Sequence, residues 1–238
     1  MTHTPPSPDA FDHVNAWVFD LDNTLYPRSA NLFAQIDAKM TEYVAELLSL
    51  DHGQAKLLQK ELYHEHGTTL AGLMARHDVD PDDFLRRVHD LDYSPITAAP
   101  ALGKAIAALP GRKFIFTNGD RPHAERTAER LGILDQFEGI FDIVAADLLP
   151  KPAALAYDRF LTHHGVEGPR AAMFEDLARN LTVPKALGMK TVLVVPPSLE
   201  EPFADVWEAD RGFTDEVDHV TDDLAGFLKA IAPKNART

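Results

Sequence analysis

The apolar and polar positions divide the chain into stretches of different period. A short apolar run over 16–19 stops at Asp20, as a buried strand does when it reaches the edge of a sheet. Over 28–94 the apolar residues instead recur every three or four positions, beginning with Leu32 and Ile36, and this spacing predicts amphipathic helices. Such a helical stretch is too long for a simple crossover between strands. It predicts a cap domain inserted after the first strand.

Beyond residue 94, short apolar strands alternate with helices. Pro122 in a first helical turn and Gly132 after a last one mark helix limits. The predicted strands are 113–117, 142–145, 171–174 and 190–195. This alternation predicts an α/β fold with a Rossmann-like, doubly wound parallel sheet. The predicted organisation is a disordered leader over 1–14, a Rossmann-like core formed by 15–27 and 95–232, a helical cap over 28–94 and a tail over 233–238.

Polar side chains follow the predicted strands at the edge where open α/β sheets bind ligands. They stand in four segments: Asp20 with Asp22, Thr117 with Asn118, Lys151, and Glu175 with Asp176. Asp20 and Asp22 share one face because strand side chains alternate, and two carboxylates at one spot need a cation, a shared proton or full hydration. Carboxylate oxygens favour a hard divalent cation, Mg²⁺ in particular.

These side chains fit phosphoryl transfer through a covalent carboxyl phosphate. Asp20 can attack phosphorus while a metal, a lysine and fixed donors neutralise the phosphoryl oxygens. We expect Asp22, with a pKa raised by its neighbours, to protonate the leaving alcohol and later to take a proton from water. From the residues alone, two non-catalytic interpretations are possible as well: the two aspartates could end a strand in a solvated turn, and Lys151 could be an ordinary surface lysine.

The charge balance limits the partners. The chain has 23 basic and 37 acidic residues and a net charge of −14, which disfavours nucleic acid polymers and anionic membranes. It contains no cysteine, which excludes disulfides and thiolate chemistry. No apolar stretch approaches the length of a membrane span, and no P-loop or dinucleotide glycine motif is present. The expected location is the cytoplasm.

In this order the four segments resemble the motifs of the haloacid dehalogenase superfamily of phosphohydrolases. The motifs read Asp20-Leu-Asp-Asn-Thr24, Thr117-Asn118, Lys151-Pro152 and Glu175-Asp176-Leu-Ala-Arg-Asn180. The resemblance implies that Asp20 is the nucleophile and a metal ligand. It implies that Asp22 is the general acid and base and binds the metal through its backbone carbonyl. Haloalkanoic dehalogenases of the superfamily lack the second aspartate, so its presence favours a phosphatase.

The same resemblance assigns the remaining roles. The residues that would hold the phosphate are Thr117, Asn118 and Lys151. Asp176 would be the third protein ligand of the metal, with Asn180 orienting it. Glu175 stands where many relatives have aspartate, and it would meet the metal directly or through water. Pro184 is expected to kink or end the helix that follows.

More narrowly, the chain looks like the pyrimidine 5′-nucleotidase branch. The segments that carry this likeness are the first motif with Leu25-Tyr26-Pro27, His66-Gly-Thr-Thr-Leu-Ala-Gly-Leu73, Val88-His-Asp90, Ile115-Phe-Thr-Asn-Gly119 and Phe174-Glu-Asp176. That branch releases phosphate from nucleoside monophosphates such as UMP and CMP, so we expect a small phosphorylated substrate of this kind. The apolar faces of the cap helices fit either a core or an interface between subunits, so the expected state is a monomer or a homodimer.

The sequence does not identify the residues that recognise the substrate. The candidates are Arg121, Tyr63, Thr68 and Thr69, although solvent exposure, core packing and helix capping explain them equally well. The alternatives for the activity are a sugar-phosphate or phosphoglycolate phosphatase, a phosphomutase on the same scaffold, and a non-catalytic interaction protein.

Overall fold

One parallel sheet organises the chain, and the computed structural model describes residues 7–196 and 215–233. Within these residues six strands are paired in the order β3-β2-β1-β4-β5-β6. The strands are β1 (Ala16–Phe19), β2 (Arg112–Phe116), β3 (Gly139–Phe141), β4 (Ala171–Glu175), β5 (Lys190–Val194) and β6 (His219–Thr221). β1 pairs with β2 on one side and β4 on the other, all in parallel. The α/β fold predicted from the sequence is confirmed.

Helices connect the strands, and local sequence sets their ends. The α-helices of the described residues are α1 (Leu32–Leu48), α2 (His52–His66), α3 (Thr69–Arg76), α4 (Pro81–Val88), α5 (Pro100–Ala107), α6 (Arg121–Leu131), α7 (Ala154–His164), α8 (Thr182–Ala186) and α9 (Leu224–Ile231). The Asp51 carboxylate accepts the backbone N–H of Gln54 at the start of α2, and Gly132 ends α6 in the left-handed region. Across the two described ranges, no helix combines the length and apolarity that a membrane crossing needs.

Both faces of the sheet are buried. Trp17 and Phe19 pack with Phe174 on the face covered by α5, α6 and α9. Val18 and Phe116 lie on the other face, which α7 covers. Because β1 is buried along its whole length, its apolar run ends only where the chain leaves the sheet edge at Asp20.

The helices α1 to α4 share an apolar cluster of their own. It joins Val44 of α1, Leu62 of α2 and Phe84 of α4. Ile143, from the loop after β3, belongs to the same cluster, so this helical region packs against the end of the sheet there. The helices agree with the sequence pattern over 28–94, and the division into core and cap domains stays a prediction.

The strand predicted over 142–145 is wrong. β3 ends at Phe141, and the chain then turns because the Asp142 carboxylate accepts the backbone N–H groups of Ala145 and Arg121. Val144 is half exposed, which a strand buried on both faces would not allow. The β6 strand was not predicted.

Part of the predicted disordered leader is ordered. Pro8–Phe11 forms a 3₁₀ helix, and the Phe11 ring packs on Trp17 and Phe227 at centroid distances of 6.0 and 5.9 Å. The reason is hydrophobic: Phe11 and Val14 are buried in the sheet core. Residues 1–6, and all of the predicted tail after residue 233, lie outside the described residues.

Pro184 does not break a long helix. A 3₁₀ turn over Ala178–Leu181 leads into α8, and Pro184 lies in the first turn of that short helix. A proline is tolerated there because the first N–H groups of a helix have no intrahelical acceptor.

Candidate active site

The predicted polar residues meet at the carboxyl edge of the three central strands. Phe19 of β1 is in register with Ile115 of β2 and with Phe174 of β4. The backbone N–H of Asp20 extends this pairing by donating to the carbonyl of Phe174 at 2.9 Å. Parallel strands end at the same edge, so the side chain of Asp20 leaves the sheet beside that of Glu175.

Lys151 joins two of the carboxylates at this edge. Its Nζ lies 2.7 Å from Oδ1 of Asp20 and 2.9 Å from Oε1 of Glu175, and it donates to the carbonyl of Phe116 at 3.0 Å. The side chain is only 1% exposed. Burial acts against the charge, but the carboxylates of Asp20 and Glu175 outweigh it and raise the pKa of Lys151. The lysine therefore stays charged against Asp20.

Glu175 accepts hydrogen bonds on both of its oxygens. Oε1 accepts from Lys151 and from Nδ2 of Asn180 at 2.5 Å, and Oε2 accepts the backbone N–H of Leu177 at 2.8 Å. Burial acts to raise the pKa of Glu175, but the charge of Lys151 and these hydrogen bonds hold it below its usual value. Asn180 thus orients Glu175, and not Asp176 as the sequence predicted.

Asp176 completes a cluster with Asp20 and Glu175. One oxygen from each carboxylate lies within 4.8 Å of the others, and Nη2 of Arg28 donates to Oδ2 of Asp176 at 2.8 Å. Burial and the charges of Glu175 and Asp20 raise the pKa of Asp176 well above its usual value. Burial and the charge of Glu175 likewise raise the pKa of Asp20 to about 7, although Lys151 opposes this.

Burial and an excess of negative charge both raise these pKa values, and a cation would relieve the excess charge. The donors are carboxylate oxygens, which suit Mg²⁺. Glu175 accepts from Lys151, Asn180 and the backbone of Leu177, whereas each oxygen of Asp20 accepts one hydrogen bond and Asp176 accepts from Arg28 on Oδ2. Asp20 and Asp176 are therefore the side chains best placed to hold a metal. The donor set therefore fits Mg²⁺, with Glu175 in an indirect role.

Asp22 is held separately from this cluster. Its Oδ1 accepts from the Tyr26 hydroxyl at 2.5 Å and lies 2.8 Å from Nε2 of His123. Burial acts to raise the pKa of Asp22, but the charge and hydrogen bond of His123, with the hydrogen bond from Tyr26, lower it below the usual value. The prediction of a raised pKa for Asp22 is wrong, because both neighbours favour the carboxylate.

Thr117 and Asn118 shape the loop after β2. Thr117 is buried, and its Oγ1 accepts the backbone N–H of Gly119 at 2.9 Å. Asn118 exchanges two hydrogen bonds with the backbone of Lys151, accepting its N–H at 2.8 Å and donating to its carbonyl at 3.3 Å. Asn118 therefore fixes the loop that carries the lysine, and both residues stay candidates for phosphate binding.

The four candidate substrate residues make other contacts. Arg121 donates to the carbonyl of Ile140 at 2.6 Å, and Thr68 caps α3 by accepting the N–H of Ala71. Thr69 is 1% exposed, and its hydroxyl has no hydrogen-bond partner among the described residues. The Tyr63 hydroxyl accepts from Arg179, whose guanidinium lies 4.6 Å from the tyrosine ring centroid. No described hydrogen bond joins any of the four to the carboxylate cluster.

Several residues at the site were not singled out from the sequence. Thr24 donates to Oδ2 of Asp20 at 3.0 Å, and Tyr26 stands in the same position relative to Asp22. Their spacing of four residues inside one motif could have indicated both. Arg28 and His123 gave no such signal, because their contacts span 148 and 101 positions of the chain.

Comparisons with known proteins agree with this geometry. The sequence model of the haloacid dehalogenase-like hydrolases matches residues 14–188, a range that holds every residue of the site. Phosphate metabolism protein 8 of Saccharomyces cerevisiae is 25% identical over 205 residues, which are 79% of this chain. The chain spans 64% of the length of that relative.

Solved structures share the fold. L-2-haloacid dehalogenase from Xanthobacter autotrophicus is 16% identical, with a TM-score of 0.57 over 92% of this chain and 98% of its own. A phosphatase of the haloacid dehalogenase family from Thermococcus onnurineus is 18% identical, with a TM-score of 0.59 over 91% of this chain and 97% of its own. With the family match extending over most of the sequence, the chain belongs to the haloacid dehalogenase-like hydrolases.

Proposed function

We propose that this hydrolase is a Mg²⁺-dependent phosphomonoester hydrolase that works through an aspartyl-phosphate and acts on pyrimidine 5′-mononucleotides. The observation that carries the proposal is the division between the two aspartates. Asp20 lies against Lys151 and Asp176, whereas Asp22 is held outside that cluster by His123. A carboxylate beside a lysine and within a cluster that can hold a metal suits attack on a phosphate, and a separate carboxylate suits proton transfer.

In the first step an oxygen of Asp20 attacks phosphorus. The new bond from Asp20 to phosphorus forms as the ester P–O bond breaks, and Asp22 gives a proton to the departing oxygen. The bound phosphate, being an anion, raises the proton affinity of nearby carboxylates, so Asp22 gains its proton as substrate binds. Lys151 offsets negative charge on the phosphoryl oxygens.

In the second step water releases the phosphate. Asp22 takes a proton from water as the water oxygen attacks phosphorus. The bond between phosphorus and Asp20 breaks, which gives inorganic phosphate and the free carboxylate of Asp20. Held by Asp20 and Asp176, Mg²⁺ would neutralise charge on the phosphoryl oxygens. Glu175 and Asn180 keep Lys151 in place throughout.

The choice of substrate rests on the sequence of the branch. The segments 66–73 and 88–90 lie in the helical region, where we place the contacts to base and ribose. A relative whose name is phosphate metabolism protein 8 supports phosphate chemistry. Asp22 supports a phosphatase over a haloacid dehalogenase, because attack on a carbon–halogen bond releases an anion that needs no proton.

Phosphate release with a substrate panel tests the proposal. The panel contains UMP, CMP, dTMP, AMP, phosphoglycolate and sugar phosphates, each with Mg²⁺ and with a chelator, and 2-chloropropionate as a test of halide release. We expect Mg²⁺-dependent release, fastest with UMP or CMP, and loss of activity in Asp20→Asn. Asp222→Asn, at an exposed aspartate, is the matched control. Unchanged release by Asp20→Asn would refute the mechanism, and a preference for another monoester would refute the substrate.

A further inference from the structure

His123 is a buried histidine in contact with the proposed general acid. It lies in the first turn of α6 and is 0% exposed. Its Nε2 is 2.8 Å from Oδ1 of Asp22, and the Tyr26 hydroxyl donates to the same oxygen. No described residue donates to Oδ2 of Asp22. The two donors therefore fix the carboxylate and leave Oδ2 as the oxygen that can exchange a proton with a substrate.

The second ring nitrogen of His123 is also satisfied. Nδ1 lies 3.0 Å from the Tyr93 hydroxyl, which can alternatively donate to the carbonyl of His89 at 3.2 Å. An ionised Asp22 only accepts hydrogen bonds, so Nε2 of His123 carries a proton. Nδ1 accepts from Tyr93 when the ring is neutral and donates to the Tyr93 hydroxyl when the ring is charged, so Nε2 faces Asp22 with a proton in both forms.

The ring of His123 is clamped by a second histidine. His89, the residue that ends α4, stacks on it at a centroid distance of 4.6 Å and an angle of 9°. Nδ1 of His89 lies 3.1 Å from Oδ1 of Asp120, and the same oxygen accepts the backbone N–H of His123 at 2.9 Å. Residues from the helical region and the sheet domain thus converge on one imidazole ring.

We propose that His123 is a positioning residue for Asp22. Together with Tyr93 and His89, His123 holds the carboxyl group of Asp22 toward the oxygen of the leaving group. This rests on the proposed function, because it assigns Asp22 the proton transfer. Nothing in the arrangement requires His123 to touch the substrate. Its effect on the reaction should therefore depend on how strongly the leaving group needs a proton.

Aryl phosphates of similar size separate this role from a structural one. The p-nitrophenolate ion leaves without help, whereas phenolate is a poorer leaving group that benefits from protonation. The measurement is kcat/KM for p-nitrophenyl phosphate and phenyl phosphate, since this ratio covers the steps up to departure of the alcohol. The variants are His123→Phe, His123→Gln and Tyr93→Phe, with the exposed His52→Gln as matched control.

We expect His123→Phe to lower kcat/KM about 100-fold for phenyl phosphate and less than about 10-fold for p-nitrophenyl phosphate. His123→Gln, whose amide can still donate to Asp22, should recover most of the loss. Tyr93→Phe leaves the core volume filled and should give a smaller loss with the same substrate dependence. If His123→Phe fails to fold, the substrate dependence of Tyr93→Phe still tests the positioning role.

Each result decides one of two claims. Equal losses for the two substrates, or no loss, overturn the positioning role while hydrolysis that depends on Asp20 upholds the proposed function. A wild-type protein that releases phosphate from neither aryl compound and from no member of the substrate panel overturns the proposed function, and the positioning role with it.

Discussion

Asp20 lies where negative charge exceeds positive charge. Among the described residues, the carboxylates of Asp20, Glu175 and Asp176 share the site with two cations, Lys151 and Arg28. Lys151 is committed to Asp20 and Glu175, so Arg28 is the cation that offsets Asp176. Arg28 and a divalent metal therefore compete for the same carboxylate, and this competition can be measured.

Arg28→Ala should destabilise the metal-free protein and strengthen metal binding. Both members of the pair are mostly buried, and removal of one partner of a buried ion pair costs about 3–5 kcal/mol. The loss of a positive charge beside Asp176 should lower the Kd for Mg²⁺ several-fold. Urea unfolding without metal and calorimetric titration with Mg²⁺ measure the two effects.

The control for this change is Arg130→Ala, at an exposed position away from the carboxylates. Weaker Mg²⁺ binding by Arg28→Ala would contradict the competition and would show instead that Arg28 helps to organise the metal site.

Among individual residues, those in short motifs at strand ends were predictable from the sequence. Asp20, Lys151 and Asp176 meet as expected because parallel strands end at one edge. The lowered pKa of Asp22 was not predictable, because His123 reaches it only through the packing of α6 on the sheet. A long-range contact of this kind leaves no local spacing in the sequence.

His164, the last residue of α7, packs among aromatic rings of α7 and β2. The His164 ring lies 4.4 Å from Phe114 and 5.1 Å from Phe160, and its Nε2 is buried without a hydrogen-bond partner. Burial lowers the pKa of His164 to about 4, and the nearby charges of His163 and Arg112 act in the same direction. The neutral ring is therefore the form that the folded protein favours.

Stability should fall as the pH is lowered from about 6.5, the unfolded pKa, toward 4. In this window the unfolded chain binds a proton at His164 that the folded chain does not. The free energy of unfolding therefore decreases as the pH is lowered. His164→Phe removes the group and should flatten this part of the profile. Urea unfolding at pH 7 and pH 5 measures the difference.

His52→Phe, at an exposed histidine, is the control for the added ring. An unaltered pH dependence in His164→Phe would show that other groups account for the acid sensitivity.

The misplaced strand shows the limit of pattern reading for short elements. Asp142 stands between two apolar pairs, Ile140-Phe141 and Ile143-Val144, and either pair could belong to a strand. The pairing with β2 and the hydrogen bonds of Asp142 select the first. The longer strands and helices carry enough repeats to be recognised from the sequence alone.

The helical region contacts the sheet domain beside the site. Tyr63 at the end of α2 meets Arg179 in the segment after β4 through a hydrogen bond and a cation–π contact. The next turn, at Gly67, lies against Pro150, the residue before Lys151. The order of the strands up to β5 was predictable from the alternation of periods, but these contacts depend on how the helical region packs on the sheet.

Removal of the contact between Tyr63 and Arg179 should affect substrate binding more than folding. Arg179 is exposed, so Tyr63→Leu should change the free energy of unfolding by less than about 1 kcal/mol. If closure over the substrate uses this contact, KM should rise about threefold to tenfold with kcat nearly unchanged. Steady-state kinetics with p-nitrophenyl phosphate and thermal unfolding measure both quantities.

A double-mutant cycle with Arg179→Gln isolates the contact from other effects of each change. Additive changes in KM would contradict a role for this pair in closure.

In the proposed mechanism Asp20 carries the phosphoryl group during turnover. The most direct measurement is mass spectrometry of peptides after rapid acid quench with substrate and Mg²⁺, with borohydride reduction to mark the modified carboxyl group. We expect a phosphorylated Asp20 that borohydride converts to homoserine, in wild type and not in Asp20→Asn. Phosphate release during turnover with Asp20 unmodified, or with the label on another residue, would contradict it.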